Sequence, residues 1–326
     1  MNASLSASRK ASYALVLLGL WATARWELGP ALIAGLFAHM MLERGESALT
    51  GAGVSSRVAR SASVLLFLVI GLLLTTIFVA FIKIGMSRLP LLLDRLLPRL
   101  DSVAGHFGVD LPVENVQELK ALIIETVKDN ARSISSASGL LTRGFFQILV
   151  AVVVAILHYL DRSAPARSAA LDGAVLGECR ERAARFSASF DRVMGAQFMI
   201  AAINAGLAAA FLIGFHIPFR TMLTLATFIL GVIPIVGNLL SNSLIVAAAL
   251  TRSDNLALGA LAFLVIVHKG GYFLTGRIIG ARTETPTWAI LLGLLVGEAT
   301  LGITGVILAP TLIHYAREEL RALPAR

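Results

Sequence analysis

Apolar residues fall in long blocks along this chain, and polar residues gather in the short stretches between them. Blocks at about 12–26, 28–42, 61–84, 144–160, 193–215, 221–250, 256–279 and 288–313 approach or exceed the roughly 20 residues that cross a bilayer as a helix. The third, "VLLFLVIGLLLTTIFVAFIKIG", is the cleanest. Segments of ~10 alternating residues, the signature of a membrane barrel, are absent. The pattern predicts an all-α, polytopic transmembrane protein of about six to eight membrane segments.

Two intervals break this rhythm. Residues 85–143 mix charges with leucines, and Pro90, Pro98 and Pro112 divide them. Val116, Leu119, Ile123 and Val127 recur at helical spacing, which predicts amphipathic helices. Two placements fit: on the membrane surface, or in a small extramembrane cap with the apolar face inward. Residues 161–192 carry Arg162, Arg167, Arg180, Arg182, Arg185 and Arg192 among acids, as a charged surface helix would.

Two apolar blocks carry breaks at their centres. "LGVIPIVGN" places Gly231, Pro234 and Gly237 within 221–250. The block 288–313 holds Gly293, Gly297, Gly302 and Gly305, then Pro310. Proline removes a backbone donor and clashes with the preceding turn, and glycine is a poor helix interior residue. Residues 193–250 and 256–314 each pair one unbroken block with one broken block, as an inverted repeat would. Either the broken segments turn back inside the membrane, or they are kinked spans, which membranes tolerate. The expected division is therefore 1–84, three N-terminal spans; 85–143, an extracytoplasmic segment; 144–192, a fourth span with a cytoplasmic helix; 193–316, a transport core; and 317–326, a cytoplasmic tail.

Composition agrees with a membrane. Of 326 residues, 57% are hydrophobic and 15% charged, where a soluble domain is about half apolar and a quarter charged. The net charge of +8 sits in short loops without interleaved aromatics, so it reads as topogenic rather than as a nucleic-acid surface. The basic N-terminus, loop 43–60, segment 161–192 and tail (Arg317, Arg321, Arg326) put both termini in the cytoplasm. Arg277 and Arg282 fall inside only if both broken blocks re-enter, a layout the charge rule favours by about two residues to one. "ASYALVLLGLW" after Arg9 and Lys10 imitates a signal peptide, but further spans follow at once and an uncleaved first span is expected. The single cysteine, Cys179, excludes an intrachain disulfide and leaves too few thiols for a cysteine-based metal cluster.

No catalytic or nucleotide-binding motif is present, so neither an enzyme nor an ATP-driven transporter is expected, and no cofactor or metal. The informative residues are polar groups inside apolar blocks, which are costly there and usually face a cavity or a partner helix. Glu298, in "LLVGEATLGITG", is either a protonatable or solute-binding carboxylate, or a structurally paired group near a hairpin tip. Asn238 and Asn242 lie one turn apart after Pro234, and could bind a polar ligand or freed backbone carbonyls. Gln197 and Asn204 suggest a polar seam in 193–215. Lys269, deep in "FLVIVHKGGYFL", could snorkel or face a cavity.

Three elements in order carry a resemblance: Ile233-Pro234-Ile235-Val236-Gly237; Leu274 to Gly280; and Gly302-Ile303-Thr304-Gly305 followed by Ala309-Pro310. With the span layout, they make the chain similar to the autoinducer-2 exporter family of bacterial permeases. One departure is Gly276, where the family's middle element carries proline. The resemblance implies a bacterial inner-membrane transporter, a tendency to homo-oligomers, and either export of a quorum signal or cation/proton exchange. Three functions follow as expectations. The first is a secondary exporter of a small polar or amphipathic metabolite such as autoinducer-2. The others are a cation/proton antiporter, coupled to protons or sodium, and a non-transporting scaffold in the lipid bilayer. The expected solute and ion pathway comprises Glu298, Asn238, Asn242, Pro234, Gly231, Gly237, Gly302, Gly305, Pro310, Lys269, Gln197, Asn204 and Arg277.

Overall fold

A computed structural model describes residues 6–106, 138–161, 173–278 and 286–322, together with 118, 120–122, 124–126 and 129. Besides the helical residues between 118 and 129, it contains ten helices and no strand among the described residues. They are α1 (Ala7–Arg25), α2 (Gly29–Gly51), α3 (Ser56–His106), α4 (Ser138–Asp161) and α5 (Ala174–Gly214). Then follow α6 (Arg220–Gly231), α7 (Val236–Leu250), α8 (Asp254–Ile278), α9 (Thr287–Leu301) and α10 (Ile303–Arg321). Ser56–Val103, Arg143–Asp161 and Ala174–Gly214 are long and apolar enough to cross a membrane. Arg220–Gly231, Val236–Leu250, Asp254–Val267 and Trp288–Leu301 are shorter apolar helices. The protein is a polytopic helical membrane protein, as the block pattern predicts.

Helix boundaries differ from the expected ones in two places. The third span was expected to end near 84, but α3 continues through Pro90 and Pro98 to His106. A proline inside a helix costs a hydrogen bond and typically a kink, near 3 kcal/mol. Here the apolar run beyond it offsets that cost, because Leu92, Leu93 and Leu97 are buried. The charged segment and the fifth span likewise form one helix, α5, since no proline interrupts Ala174–Gly214. At Gly276 of the middle element the helix continues, as α8 runs on to Ile278; Ile279 and Gly280 lie outside the described residues. Arg162, Arg167 and Arg282 lie outside the described residues, as do Pro112, Val116, Leu119, Ile123 and Val127 of the predicted amphipathic segment.

Two compact units organise the chain. The first comprises Met1–Leu72, Thr142–Gly195 and Glu284–Arg326; the second comprises Leu73–Leu141 and Ala196–Thr283. The two broken blocks therefore belong to different units. In the second unit, Met222 and Leu223 of α6 share a buried cluster with Ile245, Ala248 and Ala249 of α7 and with Leu212, Ala260 and Leu264. Phe211 stacks on Phe263 there, with ring centroids 4.3 Å apart. Arg252 donates to the carbonyl oxygen of His216 at 2.7 Å, neutralising the carbonyl end of α5.

In the first unit, α9 and α10 pack along their length. A Cβ at Gly297 would stand 2.5 Å from the Gly305 carbonyl oxygen, and one at Gly293 would stand 3.8 Å from Ala309 Cβ. In a continuous helix Gly293 and Ala309 would be about 24 Å apart, at 1.5 Å per residue. The block has turned back on itself. The requirement for glycine at 297 and 305 is steric, because backbone meets backbone with no room for a side chain.

Glycine-to-alanine substitutions test this packing. Gly305→Ala places its Cβ 1.8 Å from the Gly297 carbonyl oxygen and is expected to destabilise by about 1–3 kcal/mol or more. Gly206→Ala, which meets nothing within 4 Å, is expected to stabilise by roughly 0.5–1 kcal/mol. Thermal melts of both variants in the same detergent check the contrast.

Candidate functional site: two interrupted helical hairpins

The first hairpin, in the second unit, joins α6 to α7 around Pro234. Pro234 has no N–H, so the Leu230 carbonyl loses its partner four residues on and accepts the Ile233 N–H at 2.8 Å instead. Val236 N–H then donates back to the Pro234 carbonyl at 2.6 Å. That closes a γ-turn centred on Ile235, whose φ is +61° and ψ −64°. A β-branched residue in this region is strained, by about 1–3 kcal/mol. Gly237 makes the turn possible, since a Cβ there would stand 1.6 Å from the Leu230 carbonyl oxygen.

The break frees the Gly231 carbonyl, and Gln197 of α5 takes it, Nε2 donating at 2.7 Å. Gly231 is buried against Ala201, one turn beyond Gln197; a Cβ on it would sit 3.2 Å from Ala201 Cβ and 3.7 Å from Asn238 Oδ1. Gln197, Gly231 and Asn238 are thus brought together. Asn204 lies a further turn along α5, and Asn242 a turn beyond Asn238; all three asparagines are half-buried. Among the described residues none of their side chains has a protein hydrogen-bond partner. Gln197 anchors backbone, while the asparagines keep free amides.

The second hairpin, in the first unit, turns at Gly302, with φ +60° and ψ −143°, a conformation essentially restricted to glycine. Its N–H donates to the Glu298 carbonyl at 2.8 Å, closing α9. The Glu298 side chain is exposed one turn before the tip, beside exposed Leu295, Val296 and Ile303. Pro310 is half-buried within α10. Lys269 and Arg277 ride on α8, but their side chains lie outside the described residues. The described residues contain no group of three or more His, Cys, Asp or Glu side chains arranged to hold a metal ion.

Helices of 12 and 15 residues in the first hairpin, and of 15 in the near arm of the second, are about 18–22 Å long, less than the ~30 Å hydrocarbon layer. The family model described as "AI-2E family transporter" matches residues 11–324. The chain belongs to the AI-2E transporter family. It is also similar to a Bacillus subtilis (strain 168) protein named "Putative transport protein YdbI", 31% identical over 126 residues. That match covers 38% of this chain and 36% of the relative's length. This AI-2E family protein is a multi-pass helical membrane protein.

The block pattern alone does not reveal a further cluster that the protein carries in its first unit. Arg182, read from the sequence as topogenic, is 2% exposed. It donates to the Glu178 carbonyl and carboxylate at 2.7 and 2.6 Å and covers the Tyr13 ring at 4.3 Å. Tyr13 Oη donates to Glu319 Oε2 at 2.8 Å, and Arg185 approaches the same oxygen at 3.6 Å. Burial, and then the charge of Glu319, push the Tyr315 hydroxyl up to about 12. Glu319 recurs at helical spacing with Tyr315, Leu308 and Thr304; that periodicity was the available signal.

Two predictions come from these contacts. Gln197→Leu leaves the Gly231 carbonyl unpaired and should cost about 1–3 kcal/mol in thermal stability, with Gln197→Glu retaining an acceptor but no donor and failing to rescue. His314, whose Nδ1 lies 3.0 Å from Ser189 Oγ, titrates below its ordinary value because of burial and then the Arg192 cation. A depressed pKa means that stability is full above about pH 6.5 and is lost as pH falls through the folded value. Melts from pH 7.5 to pH 5 should fall, and His314→Gln should flatten that slope.

Proposed function

We propose that the protein is a secondary transporter of the bacterial inner membrane that exports a small polar or amphipathic metabolite, such as autoinducer-2. One observation carries the reading: a hairpin broken at Pro234 presents Asn238 and Asn242, half-buried amides without partners among the described residues, beside the clamped Gly231 carbonyl. Irregular backbone at membrane depth is tolerated where protein or a water-lined cavity satisfies it. Paired interruptions of this kind point to transport sites. Amides donate and accept without carrying charge, which suits an uncharged, hydrogen-bonding solute. The family supports transport, and the basic loops support cytoplasmic termini. Residues 193–316 act as the moving core, the short arms re-enter the bilayer, and the protein assembles as a homo-oligomer.

Reconstituted vesicles test the assignment. Asn238→Leu and Pro234→Ala should lower autoinducer-2 flux at least about tenfold, the effect of losing roughly 1.4 kcal/mol of stabilisation in the transport step. Normal flux in both variants would falsify the site. Thiol labelling of Arg252→Cys and Arg282→Cys, each in a Cys179→Ser background, tests re-entrance: position 252 should label from outside and 282 from the cytoplasm.

A second reading is cation/proton exchange, favoured by Glu298, an exposed carboxylate among lipid-facing apolar side chains at a hairpin tip. A pH-jump dye assay with and without sodium separates the two. Sodium-dependent proton movement that Glu298→Gln abolishes would establish exchange.

A further inference from the structure

The first unit has two polar ends joined by exposed apolar helix faces. α10 pins both ends. Thr304 lies against Gly29 at the start of α2, and about 22 Å further along the helix Glu319 accepts from Tyr13 of α1. α4 runs between the same ends. Arg143 Nη2 donates to the Trp26 carbonyl at 3.1 Å, and about 24 Å further on Tyr159 Oη donates to Glu46 Oε2 of α2 at 2.8 Å. Between these contacts Leu17 and Leu18 of α1, and Val153 and Val154 of α4, are exposed. An exposed apolar band closed by polar contacts places the turn between α1 and α2 at a boundary of lipid and water.

That turn gathers cations and aromatic rings. Trp21 and Trp26 meet edge to face with ring centroids 6.3 Å apart, and both are exposed. Phe145 and Phe146 are exposed just after Arg143. Arg25, in the last turn of α1, is exposed and has no hydrogen-bond or ion-pair partner among the described residues. Arg143 uses one N–H on the Trp26 carbonyl, which holds its guanidinium at the turn. Glu27 is exposed in the same turn, so two arginines and one carboxylate leave a single net positive charge. A phosphodiester carries the matching negative charge.

The aromatic rings decide between occupants. A soluble anion would meet the guanidinium groups and leave the indoles and phenyl rings in water. A second copy docked by two-fold symmetry would bring like net charge to like. A phospholipid meets both halves of the surface. We propose that the turn between α1 and α2 binds the headgroup of an anionic phospholipid, with its phosphate on Arg25 and Arg143 and its upper chain segments against Trp21 and Trp26. Arginine suits the task because a planar guanidinium meets two phosphate oxygens at once. Trp26 serves twice, through its ring towards lipid and through its carbonyl as the anchor of Arg143. The site belongs to the first unit and does not depend on the exported solute.

Native mass spectrometry of the full chain tests it, with phosphatidylglycerol, phosphatidylcholine and inorganic phosphate as probes. The chain should retain phosphatidylglycerol in preference to phosphatidylcholine. Arg25→Gln should lower that retention about fivefold, the effect of one arginine near an anionic headgroup. Glu27→Gln removes the opposing carboxylate and should raise it. Arg57→Gln should leave it unchanged, because Arg57 is exposed one turn before Arg60, which pairs with Glu46 at the other end of the unit. Equal retention by Arg25→Gln and the unsubstituted chain overturns the proposal; if that variant also loses self-association, a second copy is the occupant. A matching loss in Arg57→Gln overturns it too, since diffuse surface charge would then be the cause. Binding of inorganic phosphate as tight as that of phosphatidylglycerol overturns the lipid assignment in favour of a small-anion site.

Discussion

Backbone groups that leave a helix among apolar segments need partners inside the protein, and both hairpins supply them. At Pro234 one carbonyl is taken by a tightened turn, one by the γ-turn and one by Gln197. At Gly302 the turn is closed by the Glu298 carbonyl. Glycine then sets how closely the arms approach. Gly237 lies on the Leu230 carbonyl, and Gly297 and Gly305 lie on each other. In a lipid environment, where apolar side chains gain little by leaving the solvent, such backbone contact is a main source of helix association.

The strain at Ile235 has a local explanation. Proline fixes its own φ and restricts the residue before it, so the reversal falls on the residue after it. Asparagine or glycine would take that position at lower cost. The rest of the hairpin over-determines the turn, with Gly237 against Leu230 on one side and the Gln197 clamp on the other. Strain held by surrounding contacts is common where an element has to change shape, and it belongs with the free amides of Asn238 and Asn242 in the same turn region.

The sequence made the helical class, the block order and both interruptions legible, because a membrane leaves only one way to satisfy long apolar segments. Asn238 and Gln197 could be singled out as polar residues in apolar runs, but not their different employment. Only the three-dimensional approach of α5 to Gly231 makes Gln197 a backbone anchor. The ends of α3 and α5 were misjudged for a related reason. Charge and proline mark where a segment leaves lipid, not where its hydrogen-bond ladder stops. Arg182 was missed because arginine in a basic segment reads as a surface charge, whereas Tyr13, Glu178 and the turns around them bury it.

The clamp on Gly231 joins an amide to a carbonyl, and neither group titrates or carries charge. The first hairpin is therefore held by a contact that acidity and ionic strength leave alone. The second ends in a helix whose far turns carry His314, Tyr315 and Glu319. The two interruptions look alike in sequence yet answer to different solution variables, since His314, whose pKa burial depresses, rides on the last helix and not beside Pro234.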